Sequence, residues 1–96
     1  MNEYIFNWDY EKYKSNIIKH GISFDEATTV FDDDDAIFIS DDSHSKNEDR
    51  FAVIGFSERL RLLIVCHCYR NDDAIVRIIS ARKANKSEEL LYGEMK

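Results

Sequence analysis

The chain has 96 residues and a formal net charge of −6 at pH 7, which is room for a single domain over residues 1–96. Hydrophobic residues make up 44% and charged residues 33%, a globular rather than a disordered balance. No run approaches the about 18–20 apolar residues that a membrane span requires. Two cysteines, Cys66 and Cys68, cannot build a disulfide framework or a four-cysteine zinc site. We expect a reduced, cytoplasmic protein without a secretory signal.

The charge is divided unevenly along the chain. Residues 1–49 carry thirteen acidic residues and four lysines, a balance of −9, whereas residues 50–96 carry six acidic and nine basic residues, a balance of +3. All six arginines lie in the second half: Arg50, Arg59, Arg61, Arg70, Arg77 and Arg82. The total charge therefore argues against a nucleic-acid partner, but its distribution does not.

Two helices are predicted near the N-terminus. Asp9 is a suitable N-cap for a helix that runs to about His20, and Gly21 supplies the left-handed residue that ends it. Ser23 and Glu26 then form an S-x-x-E capping box, which predicts the start of a second helix.

The rest of the chain predicts a sheet and a final helix. Residues 3–8 alternate and predict a short strand or an arm. Four further runs have β character, at residues 36–40, 50–57, 60–70 and 75–82, and a C-terminal amphipathic helix follows over about residues 85–95. We predict an α+β domain in the order β-α-α-β-β-β-β-α, with a small antiparallel sheet of about four to five strands. The two N-terminal helices would pack on one face of this sheet.

Short connections suggest a register for the central strands. A two-residue turn at residues 58–59 would set Arg50 opposite His67. A three-residue loop at residues 71–73 would set His67 opposite Arg77. The expected result is one row across three strands in which two guanidiniums flank an imidazole.

Such a row suits phosphodiester chemistry. Two arginines can bind the phosphate and stabilise the charge that grows on its oxygens, and an imidazole can transfer a proton near neutral pH. Tyr69 would lie one pleat further along, beside Glu48 or its loop. RNA supplies its own nucleophile, the 2′-hydroxyl, so that no metal is obligatory. The alternative is that these arginines are solvated charges paired with nearby acidic residues.

The other polar groups give weaker signals. The spacing of His20, His44 and His67 matches no metal-ligand motif. The acidic run at residues 32–35 is typical of a solvated loop, because adjacent carboxylates point in different directions. We expect no metal and no other cofactor.

Three segments, in order, resemble the BrnT-type toxins. WDYEKYKSNIIKHGISFDEA (8–27) is similar to the opening "WD…K…N..KHG.SF.EA" of that family, and HSKNEDRFAVIGFS (44–57) to its "HS..E.R....G.S" segment. RLLIVCHCYRNDDAIVRIISARKA (61–84) leads into its "RIISAR.A" signature. Two departures are the acidic run where members carry a proline, and Leu60 where glycine is usual.

The resemblance implies the RelE/ParE-like ribonuclease fold and a toxin of a bacterial type II toxin–antitoxin system. Such a toxin cleaves cellular RNA without a metal and inhibits translation and growth. A BrnA-like antitoxin with a ribbon-helix-helix DNA-binding domain neutralises it, and the complex represses its own promoter. The alternative is an inactive, toxin-like module that only binds an antitoxin or another regulatory partner.

The resemblance also marks candidate site residues, since Arg50, Arg77, Glu48, His20 and Arg82 match family motif positions. The expected catalytic residues are Arg50, His67, Arg77 and Glu48. The expected RNA contacts are His20, Tyr69 and Arg82. A domain of this size leaves apolar side chains short of cover, and we expect Phe38, Phe56 and Leu63 to be among those that a partner protects.

Overall fold

A computed structural model describes residues 4–41 and 49–94. Its elements follow the predicted order. They are strand β1 (Ile5–Trp8), helix α1 (Tyr10–His20), helix α2 (Phe24–Thr29) with a 3₁₀ turn (Val30–Asp32), strands β2 (Ile37–Ser40), β3 (Phe51–Phe56), β4 (Leu62–Arg70) and β5 (Ile75–Lys83), and helix α3 (Lys86–Glu94). Within the described residues, no helix is long and apolar enough to cross a membrane.

The five strands form one sheet in the order β1-β5-β4-β3-β2. Strands β2 to β5 are antiparallel neighbours, as predicted. β1, however, pairs parallel to β5, so the sheet is mixed rather than wholly antiparallel. A parallel neighbour needs a long connection, and here the helices and the whole meander lie between the two strands.

The predicted helix caps are confirmed. The Asp9 carboxylate accepts a hydrogen bond from the Lys12 N–H at 3.0 Å, and Gly21 ends α1 with a φ of 70°. The Ser23 hydroxyl accepts from the Glu26 N–H at 3.0 Å at the start of α2. These local contacts satisfy backbone groups that a helix leaves without partners at its ends.

The sheet buries apolar side chains on both faces. Helices α1 and α2 cover the larger core, which includes Phe24, Val53, Leu63, Val65 and Ile78, each at most 1% exposed. The expectation that Leu63 needs a partner for cover is therefore wrong. α3 covers part of the opposite face, where a smaller core is formed by Ala52, Ile54, Ile64 and Tyr92. We call this partly covered face the open face.

A buried amide joins α1 to the edge of β5. The Asn16 side chain donates to the Ala81 carbonyl at 2.8 Å and accepts from the Ala81 N–H at 3.0 Å. β1 ends earlier, where Trp8 pairs with Ile78. The amide thus takes the place of a strand backbone beyond the end of β1.

The β3–β4 hairpin is one residue longer than predicted. The Ser57 N–H donates to the Arg61 carbonyl at 2.9 Å, which leaves a three-residue loop over 58–60. Leu60 has a φ of 60°, the left-handed conformation with which such loops commonly close. Leu60 therefore has the backbone conformation that glycine would readily adopt at this position.

The Glu26 carboxylate holds both ends of that loop. It accepts from the Ser57 hydroxyl at 2.7 Å and from both Nε and Nη2 of Arg61. The hydrogen bond from Arg61 lowers the pKa of Glu26, against the effect of burial. This carboxylate, which is 5% exposed, connects α2 to the hairpin.

The β4–β5 connection is also longer than predicted. Arg70 pairs with Ile75, so the loop contains the four residues 71–74, and the first three of them have positive φ. Further along, Cys66 pairs with Ser80 and His67 with Ile78, so that Ile79 of β5 is an extra residue without a partner in β4. This bulge shifts the pairing by one more residue.

Together the two loops change which residues share a row. Phe51 lies opposite His67, and this register continued by one residue sets Arg50, just before β3, opposite Cys68. Arg77 also pairs with Cys68. The predicted row of Arg50, His67 and Arg77 is wrong, because a shift of one residue moves side chains to the other face.

The strained turn makes a testable prediction about stability. We expect Leu60→Gly to raise the free energy of unfolding by about 0.5–1 kcal/mol, since glycine relieves the left-handed backbone and Leu60 is 81% exposed. Urea unfolding followed by circular dichroism measures this. Arg59→Gly, in the same loop at a negative φ, should instead destabilise the protein. Equal effects of the two substitutions would contradict the argument.

Candidate nucleic-acid interface

His67 is a core residue rather than a surface group. Its side chain is 0% exposed, and its ring lies 4.9 Å from that of Phe31, centroid to centroid. Nδ1 is 3.1 Å from the Val65 carbonyl oxygen, and Nε2 is 3.3 Å from the Tyr69 hydroxyl. Burial lowers the pKa of His67. The imidazole therefore faces the helices, on the side of the sheet away from Arg50 and Arg77.

Arg82 lies on the open face, at a cavity of about 420 Å³ whose lining includes Cys66, Ser80 and Glu88. Its two terminal nitrogens donate to the two carboxylate oxygens of Glu88, at 2.9 Å and 2.8 Å. This fork of parallel hydrogen bonds is also the geometry in which a guanidinium binds two oxygens of a phosphate. The cavity therefore presents an arginine in a conformation suited to an oxyanion.

The other two predicted arginines share this face. Arg50 and Arg77 flank Cys68 across three strands. Arg82 pairs with Ile64 on β4, which puts it on the same face as Arg77, and it lines the cavity that Cys66 also lines. Arg77 also donates to the Asn7 side chain of β1 at 3.2 Å. The structure thus brings Arg50, Arg77 and Arg82 to one face, without the imidazole that was expected between Arg50 and Arg77.

The Cys66 thiol is not set up as a nucleophile. Burial raises its pKa, and the nearby carboxylate of Asp41 raises it further. The hydrogen bond with Ser80 and the charges of Arg82 and Arg50 act in the opposite direction but do not reverse the shift. The thiol therefore stays protonated near neutral pH.

The comparisons with known proteins agree with this architecture. A family model described as "Ribonuclease toxin, BrnT, of type II toxin-antitoxin system" matches residues 8–88. The chain belongs to the BrnT family. Its members are ribonuclease toxins of type II toxin–antitoxin systems, which supports a toxin role and implies an RNA substrate and an antitoxin partner.

A solved structure shows the same fold. The crystal structure of the Brucella abortus ribonuclease toxin, BrnT, matches 88% of this chain and 100% of its own, with a TM-score of 0.66 and 23% sequence identity. No functionally curated protein matches the chain.

The remaining predicted site residues of this BrnT-family chain lie apart from the arginines. His20, at the end of α1, lines a second groove that meets the open-face cavity at Ser80. Tyr69 points to the helix side and lines a third depression together with Phe51 and two acidic residues. Glu48 lies outside the described residues.

Two residues of the open face were missed in the sequence. Glu88 is the third residue after Asn85, and the two exchange capping hydrogen bonds at 2.8 Å and 2.9 Å. That N-x-x-E spacing could have predicted the cap, but nothing in it indicates the pairing with Arg82. Ser80 carries no local signal, because only the bulge in β5 sets its position. Within residues 4–41 and 49–94, no group of three or more potential ligands could hold a metal ion.

The burial of His67 predicts a pH dependence of stability. Since burial lowers its folded-state pKa below the ordinary 6.5, the unfolded chain binds more protons as the pH falls below that value. We expect the free energy of unfolding to decrease by up to about 1.4 kcal/mol per pH unit between pH 6.5 and the folded-state pKa. Chemical unfolding across pH 5–8 measures this.

Two variants separate this effect from other histidines. In His67→Phe the decrease should disappear, whereas His20→Gln should keep it, because His20 is exposed. A parental pH dependence in His67→Phe would show that another group is responsible.

Proposed function

We propose that this chain is the toxin of a bacterial type II toxin–antitoxin pair and acts in the cytoplasm as a metal-independent endoribonuclease. The observation that carries the proposal is that the strand register puts Arg50, Arg77 and Arg82 on one partly covered sheet face. Membership of a ribonuclease toxin family supports it. Cleavage of cellular RNA would stop translation and growth.

The arginines would act on the scissile phosphodiester. The 2′-hydroxyl oxygen of the RNA attacks the adjacent phosphorus, and the P–O5′ bond breaks. The 2′-hydroxyl proton leaves to a base, and a proton is delivered to the departing 5′ oxygen. The products are a 2′,3′-cyclic phosphate and a 5′-hydroxyl. Guanidiniums stabilise the negative charge that accumulates on the phosphoryl oxygens during this step.

Arg82 would change partner when RNA binds. In the free protein its donors are occupied by the Glu88 carboxylate, which matches a phosphate in shape and charge. A phosphate oxygen pair would replace Glu88 at the same nitrogens. The binding of RNA therefore competes with an internal ion pair, and the net affinity is lower than the arginine alone would give.

Proton transfer in this proposal does not use His67, whose imidazole is enclosed by the aromatic core. His20 is the histidine that lines an open groove among the described residues, and that groove meets the arginine cavity. We assign proton transfer to His20 or to Glu48. Tyr69, on the other side of the sheet, would contact a more distant part of the RNA.

A BrnA-like antitoxin with a ribbon-helix-helix DNA-binding domain would neutralise the toxin and carry the complex to its promoter. The exposed apolar residues that support a partner lie on and near the edge strand β2. Phe38 is 47% exposed, Ile39 is 37% and Phe56 is 40%. An edge strand with unpaired backbone groups and apolar side chains is a surface that proteins normally cover.

A second function, an inactive module that only binds its antitoxin, is favoured by one observation. Arg82 is already neutralised by Glu88, and among residues 4–41 and 49–94 no imidazole lies between Arg50 and Arg77. A degenerate toxin would keep the fold and the apolar edge. Cleavage assays decide between the two functions.

The arginine site predicts a large loss of RNA cleavage when any one of the three arginines is removed. We expect Arg82→Ala, Arg77→Ala and Arg50→Ala each to lower the rate of RNA cleavage by about 10²–10³, the usual cost of removing a donor to a developing oxyanion. Arg82→Lys should recover little, since an ammonium cannot form the fork. Purified protein and a labelled RNA provide the assay, and growth after induction provides the cellular counterpart.

Arg59→Ala is the matched control, because Arg59 is exposed in the hairpin loop. It should cleave like the parent. If the Arg50→Ala/Arg77→Ala double variant were as toxic as the parent, the proposed site would be wrong. If the parent itself left all RNA intact, the inactive module would be the better description.

Chelation tests the metal-free mechanism. We expect excess EDTA to leave the initial cleavage rate unchanged, because arginines supply the charge that a metal ion would otherwise supply. Calcium-loaded EDTA controls for ionic strength. A loss of activity that is restored by Mg²⁺ or Mn²⁺ would contradict the proposed chemistry.

A further inference from the structure

A basic groove runs along α1 where the helix meets β5. It has a volume of about 360 Å³. The helix contributes Lys12, Ser15 and Lys19, which recur at intervals of about one turn and so lie on one side of α1, and also His20 at its end. Ser80 contributes from the strand.

The groove exists because the sheet edge is left uncovered at this point. β1 ends where Trp8 pairs with Ile78, and the Asn16 amide takes over only at Ala81. Between them lies Ile79, the residue that the bulge leaves without a partner in β4. Among the described residues no strand pairs with β5 at Ile79, and the groove lies here between β5 and α1.

The charges in the groove are available to a ligand. Within residues 4–41 and 49–94, neither Lys12 nor Lys19 forms an ion pair. The carboxylate of Glu11, which also lines the groove, is held by Lys14 at 3.5 Å. The two lysines therefore give the groove a positive charge in a half of the chain that is otherwise strongly acidic.

The groove is continuous with the arginine cavity. Ser80 lines both, with Arg82 and Glu88 on the open-face side and the α1 residues on the other. The two sites therefore adjoin at Ser80, so that one RNA strand could contact both. Lys12 and Lys19 are separated by about 10 Å along the helix, so their ammonium groups can contact two different phosphates of one strand.

We propose that this groove binds the backbone phosphates of the RNA segment next to the scissile phosphate, an inference that rests on the proposed ribonuclease function. Lys12 and Lys19 act as point charges for non-bridging phosphate oxygens. The hydroxyls of Ser15 and Ser80 can bond phosphate or 2′-hydroxyl oxygens. Binding here is independent of sequence, because a backbone contact carries no base information.

The test separates binding from cleavage by using RNA that cannot be cut. The probes are a 2′-O-methyl RNA 12-mer and a trimer from its centre, each with a fluorescent label, and affinity is measured against NaCl concentration by anisotropy. Lys12→Gln/Lys19→Gln is compared with Lys14→Gln, which removes a lysine paired with Glu11 and stacked over Tyr10. Thermal unfolding checks that these exposed substitutions leave the fold intact.

For the 12-mer, the slope of log affinity against log salt should become shallower by about 1.4 in the double variant, because each lost phosphate contact removes about 0.7 for a single strand. The slope of Lys14→Gln should change less than half as much. Affinity for the trimer should fall much less than affinity for the 12-mer, since the trimer is too short to contact the arginine cavity and the lysines together.

Three outcomes would overturn the inference: a parental slope in the double variant, an equal loss for the 12-mer and the trimer, or lysine-dependent binding of a polyglutamate peptide with unchanged RNA binding. The last result would assign the groove to an acidic protein segment. The same measurements distinguish a failure of the proposed ribonuclease function from a failure of the groove proposal. A parent that binds the 12-mer with the lysine-dependent slope but cleaves no RNA refutes the ribonuclease activity and supports the groove.

Discussion

The pairing of β3 with β4, which decides the face that each side chain of β3 occupies, is supported by the hydrogen bonds that Glu26 makes to the β3–β4 loop. Its carboxylate holds Ser57 and Arg61, the two residues that close the loop, and so favours three residues between them. That loop length sets the pairing of β3 with β4. One residue fewer would turn the side chains of β3 to the opposite face, so that Val53 would leave the core beneath the helices.

The two faces of the sheet consequently have different roles. The helix side is closed and contains His67 within an aromatic core, while the open side keeps its arginines near the surface. The short helix α3 covers only part of that side, where Tyr92 packs on β3 and β4. The Tyr92 hydroxyl donates a hydrogen bond to the Asp33 carboxylate at 2.7 Å. A small domain thus maintains a stable core and an accessible charged surface on a single sheet.

Local sequence signals predicted the elements but not their exact pairing. The caps at Asp9, Gly21 and Ser23 depend on neighbouring residues, and the structure confirms them. The register could not be derived in the same way, because Leu60 adopts a backbone that its side chain does not favour and a bulge is invisible in the strand pattern. The arginines predicted for the site do share one face of the sheet. His67 was expected between Arg50 and Arg77, but the observed register turns its side chain to the other face, into the core.

Glu88 has a double role with a thermodynamic consequence. The same carboxylate caps the first turn of α3 through Asn85 and neutralises Arg82. An anion that takes Arg82 from Glu88 removes the ion pair that fixes this carboxylate under the first turn of α3. To the extent that the turn depends on this ion pair, a partner that stabilises α3 weakens the binding of the anion by the same free energy. A protein that contacts only the outer side of α3, without touching any arginine, would in this way reduce the toxin's affinity for nucleic acid.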